Sequence, residues 1–193
     1  FFIQLSPSSI TDAAIIGRSA FFATGTVTFP NSFLPFVSVP FFGPAPCAPQ
    51  KDIEKYCPNA IFEPEITYIS FCNAKEEAEK IDQYISSGFF KSIDVCGGEN
   101  VQPFEAFLPL YRKAERYHLT KKMHVGEIGP AEDVRRAVEV LGLEEVHHGI
   151  NAAASVEVMR FLADNRIQLN VCPSSNVMLG YVTDYKNHPI KIL

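Results

Sequence analysis

The sequence predicts an α/β fold built on a parallel sheet, and three observations predict it. Beyond residue 60, strand-like stretches alternate with amphipathic helical ones. Strand starts recur near residues 66, 91, 122, 145 and 168, which makes a βαβ series. No glycine-rich dinucleotide or phosphate fingerprint follows any of these strands, which argues against a Rossmann or P-loop arrangement. On this pattern alone two architectures stay open, an open doubly wound sheet or a (β/α)8 barrel with strands missing. A whole barrel usually takes about 250 residues, and this chain has 193.

Taken in order, Phe1–Leu5 (FFIQL) could supply a further strand within residues 1–6. From Ala13 to Gln50 the sole charged residue is Arg18, and prolines recur at Pro30, Pro35, Pro40, Pro44, Pro46 and Pro49. Such prolines exclude a regular helix. Three of them, with several Ser, Thr and Asn residues, argue against a membrane span over Phe21–Phe42, because a span needs about 20 mostly apolar residues. Residues 1–60 are therefore expected to be a Pro/Phe-rich segment, irregular after its first strand, lying against a neighbouring surface. Residues 61–193 form the repeating (β/α) portion.

Within that portion Ile66–Phe71 reads as a strand. Asn73 with Glu76 three residues on makes a capping-box pattern that opens a helix running to about Ser86. Lys91–Cys96 is the next strand, and Phe104–Tyr117 a helix entered through Pro103. Lys122–Val125 is a strand, followed by a helix with Pro130 at its start, Glu132 and Asp133 at the positive end of its dipole, and Gly142 as its stop. Glu145–His148 is a strand, Ser155–Asn165 a helix and Gln168–Cys172 a strand.

Net charge is −5 and no Lys/Arg-rich run occurs, so neither a nucleic-acid surface nor a polybasic membrane contact is expected. The five cysteines are scattered without CxxC spacing, which points to a reducing compartment, the cytoplasm, rather than to a disulfide framework. Phe1-Phe2-Ile3-Gln4 has neither an initiator Met nor a basic leader region. The expectation is that the sequence starts inside a longer natural chain.

Working residues of a barrel sit at the carboxyl ends of its strands. Those ends here carry Asp94-Val95-Cys96-Gly97-Gly98-Glu99, His124-Val125-Gly126-Glu127, His147-His148-Gly149 and Cys172-Pro173-Ser174-Ser175-Asn176. Two imidazoles and one or two carboxylates at one rim suit a metal-dependent hydrolase: imidazole ligates zinc, a carboxylate shuttles protons, and a second imidazole orients water. Each residue also has a plainer reading. His124 could be a satisfied histidine at a strand end, Glu127 could favour the dipole of the next helix, Asp94 could orient a neighbour, and His147 reads as structural.

These stretches carry a family resemblance. His124-Val125-Gly126-Glu127 resembles the "HAGE" motif of adenosine deaminases, and Val146-His147-His148-Gly149 is similar to their "GHG" motif. Val171–Asn176 is similar to "CPTSN", with His188-Pro189-Ile190 following, and Ile93–Glu99 resembles "IDLAGDE". The resemblance covers residues 61–193. It implies a partial (β/α)8 barrel of the metal-dependent hydrolase type, with first and last strands missing. It also implies zinc as cofactor, a purine nucleoside as substrate, and hydrolytic deamination of adenosine to inosine and ammonia. His124 is then a zinc ligand, Glu127 the acid at purine N1, and His148 the residue that holds and deprotonates the water. The backbone of Gly97 meets purine N3, and Asp94 lines the pocket.

The departures are specific. The family's His-x-His zinc pair is absent from the sequence, and the adjacent aspartates of its last strand find no match. Gly98 stands where an acidic residue is usual, and His147 where a small one is. One zinc ligand is not a zinc site, so weak zinc binding and no measurable deamination are expected of this chain alone. The alternatives are an adenine or AMP deaminase of the same superfamily and a non-catalytic remnant of the fold.

Overall fold

A computed structural model describes residues 21–28, 37–38, 55 and 61–193 of the chain. Its described strands form one seven-stranded sheet in the order β2-β1-β3-β4-β5-β6-β7. Five of them, β3 (Ile61–Ile69), β4 (Ser92–Cys96), β5 (Thr120–Val125), β6 (Glu145–His148) and β7 (Gln168–Asn170), are parallel and adjacent in chain order. With a helix between successive strands, they make an arc of a (β/α) barrel, and the open doubly wound alternative, whose strand order reverses partway, falls away.

The local signals act where the sequence places them. Asn73 caps α1 (Ala74–Lys80), its side chain accepting from the Glu76 N–H and donating to the Glu76 carboxylate. The short α2 (Asp82–Ile85) continues it. A 3-10 turn over Phe104–Phe107 leads into α3 (Leu108–Arg116), so the expected single helix has a tighter first turn. Pro130 opens α4 (Ala131–Leu141), and Gly142, at φ 64°, ends it with a left-handed cap. The Ser155 hydroxyl accepts from the Val158 N–H at the start of α5 (Val156–Asp164). Pro173 then begins α6 (Pro173–Met178).

Strand alternation sorts the side chains. Ile66, Tyr68, Ile93, Val95, Met123, Val125 and Val146 point outward and are buried with helix residues such as Ile81, Leu110, Tyr111, Val134, Val138, Val158 and Leu162. The inner face is polar. Glu65, Ser92, Lys122, Glu145 and Asn170, one from each parallel strand, join in a belt. Lys122 Nζ lies 3.4 Å from Glu65 Oε2 and 3.2 Å from Glu145 Oε2. The Ser92 hydroxyl donates to Glu65 and the Asn170 amide to Glu145, each at 2.8 Å. Burial alone would push the Glu65 carboxyl up, but the neighbouring His147, the charge of Lys122 and the Ser92 hydroxyl bring it down to about 2.

Beside β3 the structure departs from the sequence reading. Residues 21–28 are a strand, β1 (Phe21–Thr28), running antiparallel to β3 from Phe21↔Tyr68 to Thr28↔Ile61. It also pairs with β2 (Val37–Ser38) as an antiparallel hairpin. Irregular structure was expected here. Proline exclusion removes helices but not short strands between prolines, and Phe, Thr and Val favour a pleated conformation. The strand expected within residues 1–6 lies outside the described residues. No helix among the described residues is long and apolar enough to cross a membrane.

Candidate active site

Two residues beyond the polar belt, at the carboxyl ends of the strands, the same inner face carries Asp94, His124 and His147. Backbone pairing between β4 and β5 stops after Ile93↔Lys121. Across the gap that opens, His124 Nδ1 lies 3.0 Å from either oxygen of the fully buried Asp94 carboxylate. Asp94 is thus buried against the His124 ring. Burial opposes the charged form of His124, but Asp94 beside it, with Glu65 and Glu127 farther off, raises its pKa above the ordinary value. The His147 ring lies 4.5 Å from that of His124, and its Nε2 is 3.8 Å from Glu65.

By alternation His148 belongs with Val146 on the outer, apolar face. It escapes that face because its backbone is left-handed, at φ 66°, immediately before Gly149 at φ 64°. A non-glycine residue there is strained, a recurrent feature of functional sites. The turn places the His148 ring 5.3 Å from that of His124 and its Nδ1 3.2 Å from Glu127 Oε1. Burial, with His124 and His147 nearby, pushes the His148 imidazole down to about 3, so it is neutral. Burial also raises the Glu127 carboxyl above the usual carboxylate range, with the Glu99 charge adding to it against the Asn176 bond and His124. A neutral imidazole facing a carboxyl whose pKa is raised is an acid-base arrangement.

Three positioning residues lie in the motif stretches but had no role assigned from the sequence. Glu99, after β4, accepts four backbone N–H bonds from the next strand's exit loop: Gly126 (3.0 Å), Glu127 (2.8 Å), Ile128 (3.0 Å) and Gly129 (2.8 Å). This carboxylate in a nest of amides sets the loop that presents Glu127. Asn176, fully buried on α6, touches both Glu127 and His148 Nδ1, and buried His188 holds it from behind. The signal was present: Glu99, Asn176 and His188 each sit in a quoted motif.

Gly97 has φ 106°, and a Cβ there would stand 3.1 Å from the Ser70 hydroxyl, so glycine suits this exposed exit of β4. His124, Glu127 and His148 therefore converge at one rim, with Gly97 on the neighbouring strand end.

For a metal ion, Asp94, His124 and His147 bring three ligating atoms within 4.8 Å of one another. A His whose Nδ1 is tied to a carboxylate presents Nε2 to a metal, a usual arrangement around zinc. His124 fits that role. The 4.8 Å span is within reach of a tetrahedral zinc shell with bonds of about 2.0–2.1 Å, and His147 Nε2 is buried without a hydrogen-bond partner, 3.8 Å from the Glu65 carboxylate. Among the described residues His124 fits a ligand and Asp94 its orienting partner, with His147 beside them in the same group.

Comparison with known proteins follows this geometry. Residues 69–193 match the family model of adenosine deaminase. Over 105 residues the chain is 50% identical to a Treponema pallidum (strain Nichols) protein provisionally named adenosine/adenine deaminase, covering 54% of this chain and 35% of that one. It is 36% identical over 109 residues to an adenosine deaminase of Clostridium kluyveri, covering 56% and 31%. The crystal structure of an adenine deaminase from Arthrobacter aurescens superposes with a TM-score of 0.60 at 29% identity, covering 65% of this chain and 38% of that one. The chain spans about a third of the length of the curated relatives it matches.

Proposed function

The chain belongs to the adenosine deaminase family, and from that premise we propose that its 61–193 portion supplies the acid-base half of a zinc-dependent aminopurine deaminase site. The reaction is hydrolytic: water oxygen bonds to purine C6, the C6–N bond breaks, and adenosine becomes inosine and ammonia. The observation that carries the reading is the meeting of Glu127 and His148, 3.2 Å apart, from two different strand ends.

Glu127 donates its proton to purine N1, which makes C6 electrophilic, and burial, which raises its pKa above the ordinary carboxylate value, favours that acid role. His148 orients the attacking water. The Gly97 N–H meets purine N3. His124 would hold zinc through Nε2, with Asp94 fixing the ring through Nδ1. Bound there, zinc supplies Lewis acidity and lowers the pKa of water toward ~7. A free base is the second substrate reading, because the Treponema and Arthrobacter relatives are named for adenine.

The test combines metal analysis with ammonia release from adenosine, adenine and AMP. This chain alone is expected to hold zinc well below one equivalent and to release no ammonia, since only His124 matches the family's ligands. Stoichiometric zinc with turnover in this chain would prove that ligand count wrong. In a zinc-loaded protein carrying these residues, Glu127→Gln is expected to lower kcat by roughly 10²–10⁴. Zinc-loaded protein inert toward all three substrates would defeat the deaminase reading and favour a non-catalytic remnant.

A further inference from the structure

His147 stands beside His124 on the inner face, and no step above uses it. Strand pairing sets the two directly opposite each other, His124↔His147, on neighbouring parallel strands. Alternation turns both side chains inward, and their ring centroids lie 4.5 Å apart. The family motif usually has a small residue here, so the second imidazole is a feature of this chain. Its Nε2 is buried and makes no hydrogen bond, although buried polar atoms ordinarily have a partner. Glu65 Oε1 lies 3.8 Å away, beyond hydrogen-bond reach. The other Glu65 oxygen accepts from the Ser92 hydroxyl and faces Lys122.

The surroundings favour a cation between the two rings. Asp94 and Glu65, both buried, flank them, and the ammonium of Lys122 is already shared between Glu65 and Glu145. The ligating atoms of Asp94, His124 and His147 all lie within 4.8 Å of one another. Two nitrogens on one tetrahedral zinc stand about 3.3 Å apart, so the imidazoles need to close by no more than about 1.5 Å, which small side-chain rotations supply.

We propose that His147 is a second protein ligand for the zinc-class cation that His124 holds, with Asp94 behind one ring and Glu65 beside the other. The inference rests on the metal role given to His124 above and needs no turnover. Two imidazoles still fall short of the three protein ligands of a catalytic zinc site. That agrees with zinc well below one equivalent in the chain as isolated; the pair fills when metal is supplied in excess. Imidazole suits zinc, cobalt and nickel, whereas magnesium takes oxygen ligands.

Zinc titration of the full chain by calorimetry, and cobalt titration by visible absorption, should each show one saturable site. His147→Ala should weaken both roughly tenfold or more, and His118→Asn, at an exposed histidine far along the sequence, should leave both unchanged. Magnesium should not compete. On the 15N-labelled wild-type chain, zinc should move the ring nitrogens of both His124 and His147. Movement of His124 alone, an unchanged zinc affinity in folded His147→Ala, or magnesium competing as well as zinc would overturn the proposal. If His147→Ala fails to fold, the wild-type nitrogen shifts decide alone. The absence of any saturable zinc site would overturn it too, together with the ligand role of His124. Zinc on both rings in a zinc-loaded protein that releases no ammonia would defeat the deaminase reading and leave the pair standing; ammonia release with zinc on His124 alone would do the reverse.

Discussion

Replacing Glu99 by glutamine keeps the side chain's shape and removes its charge and one of its two acceptor oxygens. In the native protein Oε2 takes the N–H groups of Gly126 and Gly129, and Oε1 those of Glu127 and Ile128, at 2.8–3.0 Å. Whichever way the new amide turns, its NH2 faces two N–H donors. Gly126 and Gly129 are buried and Ile128 is exposed, so water can rescue one pair better than the other. A hydrogen bond to a charged group contributes about 1.5–3 kcal/mol when fully sheltered. Two such bonds lost at a half-buried carboxylate come to about 2–4 kcal/mol. With a urea m-value of roughly 2 kcal/mol per molar, the unfolding midpoint should fall by about 1–2 M at unchanged m. Amide exchange at residues 126–129 should accelerate selectively. A midpoint within about 0.2 M of the parent, with protection at those amides retained, would refute the reasoning. Glu105→Gln is the matched control, because its bond to Arg136 is exposed on both sides and should cost no more than about 1 kcal/mol.

Other outcomes follow from the same geometry. Lys122→Met should destabilise by about 3–5 kcal/mol, since it leaves buried Glu65 and half-buried Glu145 without their cation; a loss under about 1 kcal/mol on chemical denaturation would show that the belt is dispensable. The Glu65 carboxyl is depressed from 4.5 to about 2. Its contribution of roughly 3 kcal/mol is therefore fully present above pH 4.5 and lost as pH falls toward 2, and Glu65→Gln should flatten that part of the stability-against-pH curve. Gly126→Ala places a Cβ 2.2 Å from Val134 Cγ2 at a φ of 77°. It should cost about 2–4 kcal/mol, and a thermal midpoint equal to the parent's would show that the loop has more room than the packing implies.

How much was legible in the sequence can be judged element by element. The Asn73 capping box, the Gly142 stop and the period-two strands are local signals, and each operates where it was read. The convergence of His124, Glu127 and His148 at one rim was foreseen because a parallel βαβ series puts every strand's carboxyl end on the same side. His148 reaches that rim by a left-handed residue, a conformation that no pattern of polar and apolar residues announces. The antiparallel β1 was missed because uncharged, proline-punctuated sequence was read for the helix it forbids rather than for the strand it permits.

By itself the sequence determined the α/β class, the order of the elements and the family, because helix caps, strand periods and motif spacing are written over a few consecutive residues. The tertiary structure alone decided what those motif residues do to one another. Glu99 meets amides 27–30 positions away, and Asn176 meets Glu127 across 49 positions. The physical reason is that a buried polar group must find its partner in space, and the partner's place in the chain leaves no local trace. That is why the five-strand belt, the Glu99 nest and the His188–Asn176 contact had to wait for the folded chain.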